Sequence, residues 1–250
     1  AGDTDIFVAK LDLVGNFVWA SRMGGVGGDR GWAAALDGAS NVFVTGSLDT
    51  FGSSVSAFVA KLDNAGTADW TKTLGASGQA DVCSTGTPVG RGIAVDGSGN
   101  VYTTGYFRGT ADFDPGSGVA YLSSTSPTAT NGFISKLDAS GDFVSARRMG
   151  GSGGAAGYGI AVDGAGDIQT TGYFSGTSDF DTGTSTVSLT SVATKDIFVL
   201  KTTQDRGAIF GQLFDDLANN GTRDFGDTGL ASRTVYLDQN DNGLLDAGEP

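Results

Sequence analysis

The residues best suited to chemistry crowd into the C-terminal stretch LDQNDNGLLDAGEP, Leu237 to Pro250. Their oxygens fall on calcium-loop spacing. Asp238 takes position 1, Asn240 position 3, Asn242 position 5, Gly243 position 6, Leu244 position 7, Asp246 position 9 and Glu249 position 12. A hard cation needs several oxygens, glycine permits the sharp turn, position 7 offers its backbone carbonyl, and a glutamate at position 12 can chelate through both oxygens. A second copy lies upstream in DLANNGTRDFGD: Asp216 at position 1, Asn220 at 5, Gly221 at 6, Thr222 at 7, Asp224 at 9 and Asp227 at 12. Ala218 at position 3 has no side-chain oxygen and Asp227 is shorter than glutamate, so weaker binding, or water in the gap, is expected there. Ca²⁺ is the cofactor these spacings imply, as a structural ion that reverses the repulsion among crowded carboxylates. Extracellular sites bind it at roughly 10⁻⁴–10⁻³ M, so such a loop fills outside a cell. The competing reading is an Asx-rich turn without metal.

Other acidic pairs are weaker signals. GTADFDPGSG holds Asp112 and Asp114, and GTSDFDTGTS holds Asp179 and Asp181. One D-x-D supplies too few of the 6–8 oxygens calcium takes, whereas aspartates readily bond nearby backbone amides, so turn chemistry is the expectation. Neighbours in one loop also cannot face each other across a substrate as a glycosidase's carboxylates do. Histidine is absent, which removes His-based triads and the usual base near neutrality. The lone cysteine, Cys83, has no partner for a disulfide or a zinc cluster. The chain is therefore read as no enzyme.

Composition narrows the partners. With 28 acidic against 15 basic residues the net charge is −13, which repels phosphate backbones, so nucleic acid is not an expected partner. No apolar run approaches the roughly 20 residues of a membrane helix, and no membrane insertion is expected. The chain starts on Ala1 and runs almost at once into a strand-like run, so it is read as a piece of a longer polypeptide, with an export signal left open.

The elements that would carry these loops follow from an internal repeat. RGWAAALDGASNVFVTGSL (Arg30–Leu48), RGIAVDGSGNVYTTGYF (Arg91–Phe107) and YGIAVDGAGDIQTTGYF (Tyr158–Phe174) align on Gly31, Gly92 and Gly159. DIFVAKLD, AFVAKLD, GFISKLD and DIFVLK form a second set, beginning at Asp5, Ala57, Gly132 and Asp196. A third set follows it: GNFVWASRMGG, GTADWTKTLGA and GDFVSARRMGG. Strand, tight turn, strand is the grammar of hairpins. Four antiparallel strands per repeat describe a β-propeller blade, and runs such as DIFVAKL suit strands buried on both faces between blades. A β-solenoid ranks second, because its turns carry fewer residues. Trp19, Trp32 and Trp70 are expected to pack between blades, and Arg147 and Arg148 to form a solvated strand end.

The motifs GIAVDGSGNVYTTGYF and DIFVAKLD resemble the SBBP-type β-propeller repeat of bacterial exported proteins, over roughly residues 5–201. After Lys201 the pattern changes, and LFDDLANNGTRDFGDTGLASRTVYLDQNDNGLLDAGEP resembles the SdrD B-like domain of bacterial surface proteins, over about Gly207–Pro250. That likeness implies a small Cna-B-type β-sandwich stiffened by calcium, here cut short. The expected fold is therefore all-β: four-stranded antiparallel blades of a partial β-propeller over residues 1–206, about three blades plus a half blade, followed by a truncated β-sandwich segment with calcium loops over 207–250. The expected function is a non-catalytic extracellular or cell-surface structural or adhesive role. The alternative is a propeller platform for a protein or glycan ligand, or an accessory part of a larger secreted enzyme.

Overall fold

The computed structural model describes residues 4–49, 55–75, 90–126, 129–183 and 185–203. The chain divides into two units, 1–204 and 205–250, and the described residues lie in the first. Every regular element among the described residues is a strand. A half blade of β1 (Ile6–Leu11) and β2 (Phe17–Met23) comes first. The next blade is a four-stranded meander of β3 (Arg30–Leu36), β4 (Val42–Asp49), β5 (Val55–Leu62) and β6 (Ala68–Leu74). The second full blade uses β7 (Gly90–Val95), β8 (Val101–Phe107), β11 (Asn131–Leu137) and β12 (Phe143–Gly151), with a small hairpin, β9 (Thr110–Asp112) and β10 (Tyr121–Ser123), inserted after β8. The third shows β13 (Ala155–Val162), β14 (Ile168–Phe174) and β17 (Asp196–Thr202), with β15 (Thr177–Asp179) and β16 (Ser188–Thr190) as its inserted hairpin. All strand pairings are antiparallel.

Six hairpin turns share one chemistry. Asp12, Asp37, Asp63, Asp96, Asp138 and Asp163 each place Oδ1 where it accepts the backbone N–H groups two and four residues on, at 2.8–3.0 Å. An aspartate that bonds its own loop stands in for a backbone turn. The residue three positions after each aspartate adopts φ of +64° to +88°. It is glycine in five turns and Ser40 in the sixth.

The blades stack through faces lined with apolar side chains. Ile6 packs on Val42, Val44, Phe58 and Leu62; Phe43, Val59 and Leu74 meet Ile93, Val101, Phe107 and Phe133; Tyr102, Ile134 and Met149 meet Ile168, Phe174 and Phe198. Each cluster therefore spans two successive sheets, which explains strands without clean polar alternation. Close approach depends on two glycines. A Cβ on Gly90 would lie 2.3 Å from Thr45 Oγ1, and one on Gly157 would lie 2.0 Å from Thr104 Oγ1, each across a blade junction.

Strand register corrects the repeat alignment by two residues in one copy. Gly31 pairs with Gly46, Gly90 with Gly105 and Gly157 with Gly172, so Gly31 corresponds to Gly90 rather than Gly92. Gly31, Gly90 and Gly157 each stand six positions before their turn aspartate, Asp37, Asp96 and Asp163, so the three copies are of equal length.

Candidate functional site

The corrected register exposes a shared irregularity. Immediately after each of those glycines the first strand of the blade carries a β-bulge, and the bulged residues are Trp32, Arg91 and Tyr158. A bulge leaves one residue outside the ladder and re-aims its side chain. β7 packs against β3 on one side and β13 on the other, so the three bulges adjoin. The Arg91 guanidinium lies 4.4 Å from the Trp32 ring centre and 4.8 Å from that of Tyr158. The row continues from Tyr158 to the Tyr173 ring at 5.7 Å, and the Lys195 ammonium stands 3.9 Å from Tyr173. Trp, Arg, Tyr, Tyr and Lys thus line up across three blades.

Two properties separate this row from core packing. Trp32 is 41% and Tyr158 39% exposed. Arg91 Nε is buried and has no hydrogen-bond partner among the described residues. A cation over an aromatic face gains about 0.5–2 kcal/mol, which holds Arg91 in place without satisfying that donor. Flat aromatic faces beside a fixed guanidinium can receive a ligand with an apolar face and hydrogen-bond acceptors. At the Trp32 end lies a cleft of about 280 Å³ lined by Asp5, Phe7, Asp29 and Arg30. At the other end a pocket of about 230 Å³ is lined by Tyr173, Lys195 and Arg108.

The tryptophans divide. Trp19 is half-buried, covers Gly66 and donates Nε1–H to the Asn64 carbonyl at 2.9 Å, and Trp70 packs edge-on to Phe43. Both pack as expected from sequence; Trp32 does not. Arg147 and Arg148 lie within β12, where Arg147 donates to the Thr182 carbonyl at 2.8 Å.

The D-x-D pairs are turns and staples. Asp112 Oδ1 accepts from the Asp114 and Ala120 amides at 3.0 and 2.8 Å, and Asp179 Oδ1 accepts from those of Asp181 and Val187 at 3.0 and 2.9 Å. Asp114 and Asp181 in turn accept from Gly116 and Gly183. The intervening phenylalanines are core: Phe113 sits 5.5 Å from Phe107 and 4.8 Å from Phe133, and Phe180 sits 5.2 Å from Phe174 and 4.8 Å from Phe198. Each hairpin also reaches the outer edge of the preceding blade. Gly75 N–H donates to the Asp112 carbonyl at 2.6 Å, and Gly150 and Gly151 pair with Asp179 and Ser178. Among the described residues no cluster of three or more His, Cys, Asp or Glu side chains could hold a metal.

All eleven sequence-predicted calcium ligands (Asp216, Asn220, Thr222, Asp224, Asp227, Asp238, Asn240, Asn242, Leu244, Asp246 and Glu249) lie outside the described residues, as does Cys83. The Trp32–Arg91–Tyr158 row was missed in the sequence because alignment on RG and YG placed Arg91 opposite Arg30. The available signal was the large residue between small ones in GWA, GRG and GYG.

Comparison with known proteins agrees with a repeat architecture. The chain is similar to the uncharacterized WD repeat-containing protein L264 of Acanthamoeba polyphaga mimivirus, with 27% identity over 158 residues, 54% of this chain and 11% of that protein. The chain therefore spans about a tenth of the length of that relative. No family model matches.

Proposed function

We propose that this chain is a non-catalytic binding platform from an extracellular or cell-surface protein, adhesive or structural in role. Its repeats present the Trp32–Arg91–Tyr158 row to a protein or glycan ligand. The observation that carries this reading is the row itself: exposed aromatic faces clamp a guanidinium whose Nε has no partner among the described residues, at the same bulged position of three successive blades. Bulges are over-represented at sheet edges and beside active sites, where they re-aim side chains. The similarity to a WD repeat-containing protein supports a repeat-built β scaffold. The likeness to SBBP-type repeats and to an SdrD B-like module supports export, with Ca²⁺ held by Asp238, Asn240, Asn242, Leu244, Asp246 and Glu249 and by the weaker upstream loop as a structural ion. The absence of histidine from the sequence supports a role without catalysis.

The test is a screen of the full chain on glycan and peptide arrays, with Trp32→Ala and Arg91→Ala alongside. Saturable binding lost in both variants is the expected result. Binding that survives both substitutions, or none on either array, overturns the assignment of the row as a binding site.

A further inference from the structure

The pocket at the end of the row breaks the repeat in a way that packing does not require. Arg108 follows the last residue of β8, and the equivalent residue after β14 is Ser175. Thr130 precedes β11, and the equivalent residue before β17 is Lys195. One blade therefore contributes an Arg/Thr pair and the next a Ser/Lys pair at the same two positions. The inter-blade pocket gathers all four, with Gly153 and Tyr173, in about 230 Å³. Its lining holds two cations and no carboxylate, although the chain carries a net charge of −13.

The donors are poised rather than spent. Arg108 Nε–H donates to Thr130 Oγ1 at 2.9 Å, which fixes the plane of the guanidinium; among the described residues nothing else engages it. Lys195 stands over the Tyr173 ring and forms no ion pair among the described residues. A planar fork beside an ammonium is the arrangement that recognises a carboxylate. The volume is below the roughly 300–1,000 Å³ of pockets that enclose a whole small ligand, so it fits a pendant group on a larger one.

We infer that this pocket binds the carboxylate of an acidic sugar whose chain lies along the Tyr158–Arg91–Trp32 row. The inference rests on the binding-platform reading and names its ligand class. A peptide added to a strand edge needs a regular line of backbone donors and acceptors, and β3, β7 and β13 are each bulged at the row. A nucleic acid brings a phosphate at every residue against a strongly acidic chain. A uronate places its charge on the pocket and leaves the apolar faces of its rings for Tyr158 and Trp32.

The experiment titrates the full chain with trigalacturonate and with its fully methyl-esterified form, which keeps the sugar faces and removes the charge. Arg108→Gln, Lys195→Gln, Trp32→Ala and the control Arg147→Gln are measured in parallel. Tighter binding of the acid by roughly tenfold or more is expected, as for hydrogen bonds to a charged group. Arg108→Gln and Lys195→Gln should each remove most of that difference and leave the ester unaffected, Trp32→Ala should weaken both forms, and Arg147→Gln neither. Lys195 is exposed, so its substitution keeps the test informative if Arg108→Gln unfolds the chain. Acid and ester binding alike, or an acid preference that survives both glutamine variants, overturns the carboxylate pocket while the row stands as a platform. Failure of both forms to bind overturns the acidic-sugar assignment, and a peptide hit on the arrays then shows that the platform reading survives without it.

Discussion

Replacing Gly157 by alanine probes the blade junction directly. The added Cβ would lie 2.0 Å from Thr104 Oγ1 and 3.1 Å from Thr104 Cβ, far inside contact distance. Thr104 cannot swing away freely, because it is fully buried and its hydroxyl donates to the Phe133 carbonyl at 2.8 Å. Overpacking of a tight core costs about 1–3 kcal/mol, and a rigid neighbour puts this site at the upper end, about 3 kcal/mol. Thr104→Ala alone should cost about 1 kcal/mol through its lost hydrogen bond. In the double variant the 2.0 Å clash is gone and the 3.1 Å contact with Cβ remains, so the total should fall to about 2 kcal/mol instead of reaching the sum of about 4, a coupling of about 2 kcal/mol. Urea unfolding followed by tryptophan fluorescence measures all four corners of the cycle, and a change in slope would reveal any loss of two-state behaviour. Strict additivity, or a Gly157→Ala cost within about 0.5 kcal/mol of zero, would refute the packing of β13 against β8.

Other expectations follow from the same geometry. Ser40 is the non-glycine with positive φ among the equivalent turn positions, at +64°; Ser40→Gly should stabilise by about 0.5–1 kcal/mol, read as a rise of roughly 1–4 °C in melting temperature. Phe113→Ala removes a fully buried ring between Phe107 and Phe133 and should cost about 3–5 kcal/mol in urea unfolding. Burial opposes ionisation of Asp96, yet bonds from the Asn100 side chain and amide, the Tyr102 hydroxyl and the Ser98 amide outweigh it and hold its carboxyl below the ordinary range. A depressed folded value stabilises above the unfolded value near about 4 and is lost as pH falls through the folded one. Stability should therefore hold from neutral pH to about 5 and decline below about 4, with a shallower acid decline in Asp96→Asn. Calorimetric titration of the chelator-stripped chain with Ca²⁺ should show one or two sites, the tighter lost in Asp238→Ala; absence of heat would contradict the calcium loops.

Much of the architecture was legible because its signals are local. The Asp-x-x-Gly turns are written in neighbouring residues, and each turn fixes the register of the hairpin it closes, as at Asp96–Asn100 between β7 and β8. The D-x-D loops were rightly read as turn chemistry for Asp112 and Asp179, since Oδ1 of each accepts from amides two and eight residues on in the same loop. Their second role, stapling to the preceding blade through Gly75 and Gly151, depends on chain neighbours that no local pattern specifies. Trp32 shows the limit most clearly. Its strand resembles the others in composition, and only the pairing of Gly31 with Gly46 puts it on a bulge beside Arg91. The row joins residues from separate repeats, so it appears only when blades are set side by side. The same holds for Arg108 and Lys195, unremarkable singly and conspicuous once β8 and β14 are superposed as equivalents.

The central claim is that bulged residues of successive blades meet in one exposed row. A protein that keeps Trp32 as its single tryptophan, with phenylalanine at positions 19 and 70, reports on it directly through emission and iodide quenching. Arg91→Leu removes the cation 4.4 Å from the Trp32 ring and should shift the emission and change the quenching, while Arg147→Leu should leave both as they were. An emission and quenching curve indifferent to Arg91 would contradict the row.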